Sequence, residues 1–106
     1  MTTWSFDPEN NSGVLSVEGD MTINFISVLK DRLLEAFDSA EQVTVDVSAT
    51  TAVDVAGIQL LSACQRFSTG RGKKMSLLFG NNTQFTEFLD EVGFGQDFVC
   101  SIDTNK

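Results

Sequence analysis

The sequence predicts an α/β fold: a mixed, mostly parallel β-sheet with helices packed on it, in the order β-β-α-β-α-β-α-β. Two observations carry this expectation. Short stretches rich in β-branched residues alternate with longer ones whose apolar residues recur every three to four positions. After an opening pair of strands, each strand is followed by a helix-length segment, which implies right-handed crossovers between parallel strands. Nothing reads as a linker or a repeat, so residues 1–106 are expected to form a single domain.

Each element has its own signal. Trp4–Phe6 and Val14–Val17 read as short strands, with "DPENNSG" between them as a turn. After "EGDMT", the spacing of Ile26, Leu29, Leu33 and Phe37 predicts a helix that Thr22 or Asn24 would cap. Val43, Val45 and Val47 alternate with polar residues as a strand. From Ala56 to about Thr69 the period is helical again, with Leu60, Cys64 and Phe67 on one stripe and Gly70 and Gly72 as its stop. "KKMSLLF" is an apolar run typical of a buried strand. In "NNTQFTEFLDEVGF", Phe85, Phe88, Leu89 and Val92 mark a helix, Asn81 and Gln84 suit a capping box, and Gly93 suits the end. The segment "QDFVCSI" is expected to return Phe98 and Cys100 to the core as a last strand.

Composition narrows the function. A hydrophobic share of 42% and a charged share of 21% are ordinary globular values, and the nine Phe and one Trp are expected mainly to fill the core. The net charge of -8 speaks against nucleic acid as a partner. Arg66, Arg71, Lys73 and Lys74 read as cations near a helix C-terminus. No apolar stretch reaches the roughly 20 residues that span a bilayer, and "MTTWSFDPEN" has no signal-peptide pattern, so a soluble, cytoplasmic protein without membrane insertion is expected. Free thiols are expected at Cys64 and Cys100, with Cys64 a small buried hydrophobe.

Chemistry finds little footing. The sequence has no His, which excludes the common zinc sites and His-dependent triads. "DPENNSGVLSVE" spaces Asp7, Glu9, Asn11 and Glu18 like a calcium loop, but Gly13 falls one place late and Val14–Val17 alternates as a strand. Glu87, Asp90 and Glu91 lie on the polar side of the last helix. No metal, cofactor or enzymatic activity is expected. The informative unit is "VTVDVSATTAVDVAGIQLL", where Asp54 is placed to cap a helix and Gly57 permits close backbone approach.

This unit resembles the signature of STAS domains, the fold of bacterial anti-sigma factor antagonists. "VEGDMT" resembles the family's turn before its first helix, and "GKKMSLLF" and "LDEVGF" resemble its later strand and last helix. The resemblance covers about residues 4–100. It implies a non-catalytic module that binds a protein partner, often an anti-sigma factor that is also a serine kinase. In such domains the partner phosphorylates the Ser or Thr after the motif aspartate, and the added charge breaks the complex. Here the aspartate matches Asp54 and the glycine matches Gly57, but the acceptor position holds Val55, which has no hydroxyl. The expected docking surface comprises Thr22, Asn24, Thr51, Asp54, Val55, Ala56 and Gly57. The resemblance leaves two alternatives: an accessory subunit of a lipid-transport ABC complex or chemotaxis system, with a transporter subunit as partner, or a nucleotide or small-molecule binder at the helix start near Asp54.

Overall fold

The computed structural model describes residues 2–92 and 102–103. It contains the strands β1 (Thr2–Asp7), β2 (Ser12–Val17) and β3 (Gly19–Met21), a 3-10 turn (Ile23–Phe25), helix α1 (Ile26–Ser39), β4 (Gln42–Asp46), β5 (Thr50–Val53), α2 (Val55–Gly70), β6 (Lys74–Leu78), α3 (Thr83–Val92) and β7 (Ile102–Asp103). The expected α/β order is present, with β3, β5 and the 3-10 turn added to it. Gly93, Phe98 and Cys100 lie outside the described residues.

A main sheet runs β1-β2-β4-β6-β7. β1 and β2 form an antiparallel hairpin, and β2–β4, β4–β6 and β6–β7 are parallel. The hairpin turn is fixed by Asp7, whose carboxylate accepts from the Glu9 amide at 3.1 Å and the Asn10 side chain at 2.7 Å. Asn11 completes it with φ 50, a backbone region that Asn tolerates well. Leu15 and Val17, Val43, Val45 and Val47, and Met75, Leu77 and Phe79 alternate into one buried face. Successive strands step in one direction, so right-handed crossovers set α1 and α2 on that face. They bury Leu29, Leu33 and Phe37 from α1, and Ile58, Leu61 and Cys64 from α2. Phe85 of α3 joins the same core, its ring 5.8 Å from that of Phe79.

Several local expectations are corrected. The buried stripe of α2 runs through Gly57, Ile58, Leu61, Cys64 and Ser68, while Phe67 is 39% exposed and Ala63 is exposed. Phe67 packs edge-on to Phe37 from the side, and the Arg71 guanidinium covers its other flank 5.2 Å from the ring centre. Phe6 and Phe25 are exposed too, while Phe37, Phe79 and Phe85 are buried and Trp4 and Phe88 pack against the core. Asn82, not Asn81, opens α3, its Oδ1 accepting from the Phe85 amide at 3.2 Å. Lys73 serves the C-terminus of α1 rather than that of α2, its ammonium donating to the carbonyls of Phe37 and Ala40.

Candidate functional site

β3 and β5 form a separate two-stranded parallel sheet, pairing Gly19 with Thr50, Asp20 with Ala52 and Met21 with Val53. Both strands are too short to stand alone, so other groups hold them. The Gly19 amide donates to the Ala49 carbonyl at 3.1 Å, and the Thr50 hydroxyl donates to the Val17 carbonyl at 2.8 Å. From the far side, the Asn82 side-chain amide donates to the carbonyls of Val47 at 2.7 Å and Thr50 at 2.9 Å. Each strand then runs into a helix start: β3 into the 3-10 turn and β5 into α2.

Asp54 joins these two starts. One carboxylate oxygen accepts from the Gly57 amide at 3.0 Å, which is the N-cap bond expected from sequence. The other accepts from the Ile23 amide at 3.0 Å and so draws the 3-10 turn against the first turn of α2. The carboxylate thereby satisfies a free amide on each element, in the place where a helix dipole favours negative charge. Gly57 makes the approach possible. A Cβ at this position would stand 2.4 Å from the Met21 carbonyl oxygen, so α2 could not seat against β3 with any side chain there.

The expected site residues divide in consequence. Val55, Thr51 and Asn24 are exposed, and Ala56 is half-buried. Asp54 is a clasp and Gly57 is buried scaffold. Thr22 sits at the N-cap position of the 3-10 turn, but its side chain makes no capping bond, and α1 itself starts from Phe25 without one. Neither Thr22 nor Asn24 therefore caps the helix as expected; the Asp54 carboxylate takes that part for the turn.

The structure adds residues that the sequence reading passed over. These are Ile23, Phe25 and Val28, which are 65%, 50% and 55% exposed; Val55, expected at the surface from the start, is 43% exposed. Their signal was present, because "TINFISVLK" carries more apolar residues than the single stripe of Ile26, Leu29, Leu33 and Phe37 can bury. The Ile23–Asp54 bond brings the turn that carries Ile23 next to the start of α2 and Val55, and neighbouring exposed apolar side chains are the usual mark of a contact surface. Among the described residues, no group of three or more acidic, Cys or His side chains is placed to hold a metal ion. None of the helices described is long and apolar enough to cross a membrane.

The family described as "Mlab, STAS domain" matches residues 4–100. No curated protein matches the sequence. The fold is similar to that of an anti-sigma factor antagonist from Mycobacterium paratuberculosis, at 16% identity over 99% of this chain and 86% of the other, with a TM-score of 0.78. It is also similar to the Bacillus cell fate determinant SpoIIAA in its phosphorylated form, at 12% identity, 99% and 93% coverage and a TM-score of 0.68. A sulfate transporter family protein from Wolinella succinogenes matches at 15% identity over 87% of this chain and 75% of that one, with a TM-score of 0.70. At such identities the likeness is one of fold.

Proposed function

The chain belongs to the STAS domain family, and from that premise we propose that it is a non-catalytic protein–protein interaction module, like an anti-sigma factor antagonist, that docks a partner on the surface around Ile23, Thr51 and Val55. The observation that carries this reading is the Asp54 clasp. It fixes two helix starts side by side and leaves Ile23 and Val55 projecting as exposed apolar groups. An exposed valine at the first position of α2 adds apolar contact area where the family carries a phosphorylatable hydroxyl. Modification at that position is chemically impossible, so the module stays competent to bind.

Val55→Asp tests it. The partner is first captured from the native host and identified, and its affinity for the purified chain is then measured by calorimetry. An acidic residue in the first turn of a helix is favourable by about 0.3–1 kcal/mol, so the variant should fold normally. Placing an unpaired carboxylate in the interface should weaken binding by roughly thirtyfold or more. Unchanged affinity would show that this surface is not the interface.

A second reading gives the same surface a transporter subunit as its partner, and the likeness to the sulfate transporter family protein is what favours it. The identity of the captured protein separates the two. A nucleotide site at the start of α2 is disfavoured on geometry, because the Asp54 carboxylate already occupies the Gly57 amide and would repel a phosphate there.

A further inference from the structure

β1 is an edge of the main sheet, paired with β2 on one side and with no described strand on the other. Edge strands carry a row of unused backbone donors and acceptors, which natural sheets guard with Lys, Pro, a bulge or a covering segment. β1, "TTWSFD", has no Lys or Pro, and its register with β2 runs unbroken from Thr2 to Asp7. Its inner face is incompletely covered as well. Thr2, Trp4 and Phe6 lie opposite Val17, Leu15 and Gly13, so they face the side on which α1 packs. The Trp4 ring lies over Gly13, where a Cβ would stand 2.2 Å from it, and stacks with Phe6 at 6.3 Å between ring centres. α1 does not close over this pair. A groove of about 410 Å³ remains, walled by Trp4 and Leu15 on the strands and by Arg32, Glu35 and Ala36 on the helix. Phe6 is 41% exposed.

We infer that β1 pairs with β1 of a second copy of this chain, antiparallel and about a twofold axis through Ser5, so that two sheets join into one. The inference does not depend on the docking reading. Antiparallel pairing about a twofold axis is isologous, so one free edge supplies both halves of the contact. With Ser5 facing its own counterpart, Trp4 stands opposite the second copy's Phe6, and Phe6 opposite its Trp4. Cross-strand aromatic pairs are among the stabilising ones, and here they cover the ring that a single copy leaves exposed. No like charges meet in this register. Asp7 is the only charged residue of β1 and falls opposite Thr3. The two Asp7 carboxylates then stand roughly 13 Å apart along the strands, beyond the Debye length of about 8 Å in physiological salt. On the groove wall Arg32 and Glu35 are paired at 3.0 Å and cancel, which leaves Asp7 as the net charge of strand and wall together. In a chain whose total is -8, this is a side on which two copies can meet with little repulsion. A foreign strand would need the same aromatic spacing, which a second copy has by construction.

The test follows the full chain by sedimentation equilibrium from micromolar to millimolar concentration, read in parallel by the emission of Trp4, the chain's one tryptophan. A monomer–dimer equilibrium is expected, with Trp4 emission moving to shorter wavelength as the dimer fills. Ser5 is exposed, so Ser5→Lys and Ser5→Glu should each keep the parent's melting temperature and its amide spectrum outside β1. Each places like charges face to face across the axis and should weaken the dimer about tenfold or more. An equal mixture of the two should dimerise again, because Lys then faces Glu. A parent chain that stays monomeric at millimolar concentration, its edge left to another protein or to none, would overturn the inference. So would a Ser5→Lys dimer as tight as the parent's, association without a change in Trp4 emission, or a mixture no more associated than its two components.

Discussion

A methyl group added at Gly57 would stand 2.4 Å from the Met21 carbonyl oxygen, against backbone that cannot swing aside. Gly57→Ala must therefore push α2 away from β3 and stretch the Asp54 bonds to Ile23 and Gly57. A loss of about 1–3 kcal/mol in urea unfolding is expected, the usual cost of overpacking, together with displaced amide resonances from Asp20 to Ile23. A parent-like spectrum and stability would mean that α2 has slack at this contact. Sequence alone identified Asp54 as a cap and Gly57 as a point of close approach, because both follow from the chemistry of one residue beside one helix. It did not reveal that the second carboxylate oxygen reaches Ile23, since that bond joins segments far apart along the chain. The same limit applies to Asn82: a capping residue was legible, but the choice between neighbouring asparagines depends on which one faces Val47 and Thr50.

At the scale of elements, long periodic segments were legible and short paired ones were not. α1, α2, α3 and the strands β2, β4 and β6 bury continuous apolar patterns. β3 and β5 carry only three and four residues with no alternation of their own, and they become strands by pairing with each other. The buried stripe of α2 lies one step from the one its apolar period predicts, for a related reason. Ser68 can be buried because its hydroxyl donates to the Gln65 carbonyl at 2.8 Å, which frees Phe67 to lie across the side of Phe37. Asn82 then takes on weight beyond capping, as besides its bond to Phe85 it ties α3 to the ends of β4 and β5 through two hydrogen bonds. Asn82→Ala should cost about 1–3 kcal/mol, since it removes a cap and takes a donor from two carbonyls, that of Val47 still accepting from the Thr50 amide. Hydrogen exchange should speed up first at Thr50–Val53. A loss under about 0.5 kcal/mol, the level of an ordinary surface change, would show that the β3–β5 sheet is held without it.

For the molecule as a whole, stability should carry a mark of its buried thiol. Burial pushes Cys64 up from 9.0 to about 11, with Lys30 pulling weakly the other way. The unfolded chain gives up that proton near pH 9 while the folded chain keeps it, so the contribution is complete below pH 9 and is lost between 9 and 11. The loss amounts to about 2–3 kcal/mol. Cys64→Ala should show a correspondingly flatter decline over that window, and equal slopes would contradict the burial of the thiol. The global architecture was the most legible level, because strand and helix periods in fixed order leave few ways to lay a parallel sheet. The surface was less so, because exposure of Ile23 and Phe25 depends on where the chain turns. That turn has a consequence for synthesis. β3 leaves the ribosome early but has nothing to pair with until Thr50–Val53 emerges, and Ile23 has no clasp until Asp54 follows. A half-made chain can display every residue of its first half and still lack the proposed docking face, so a partner that docked there would recognise only chains translated past the start of α2.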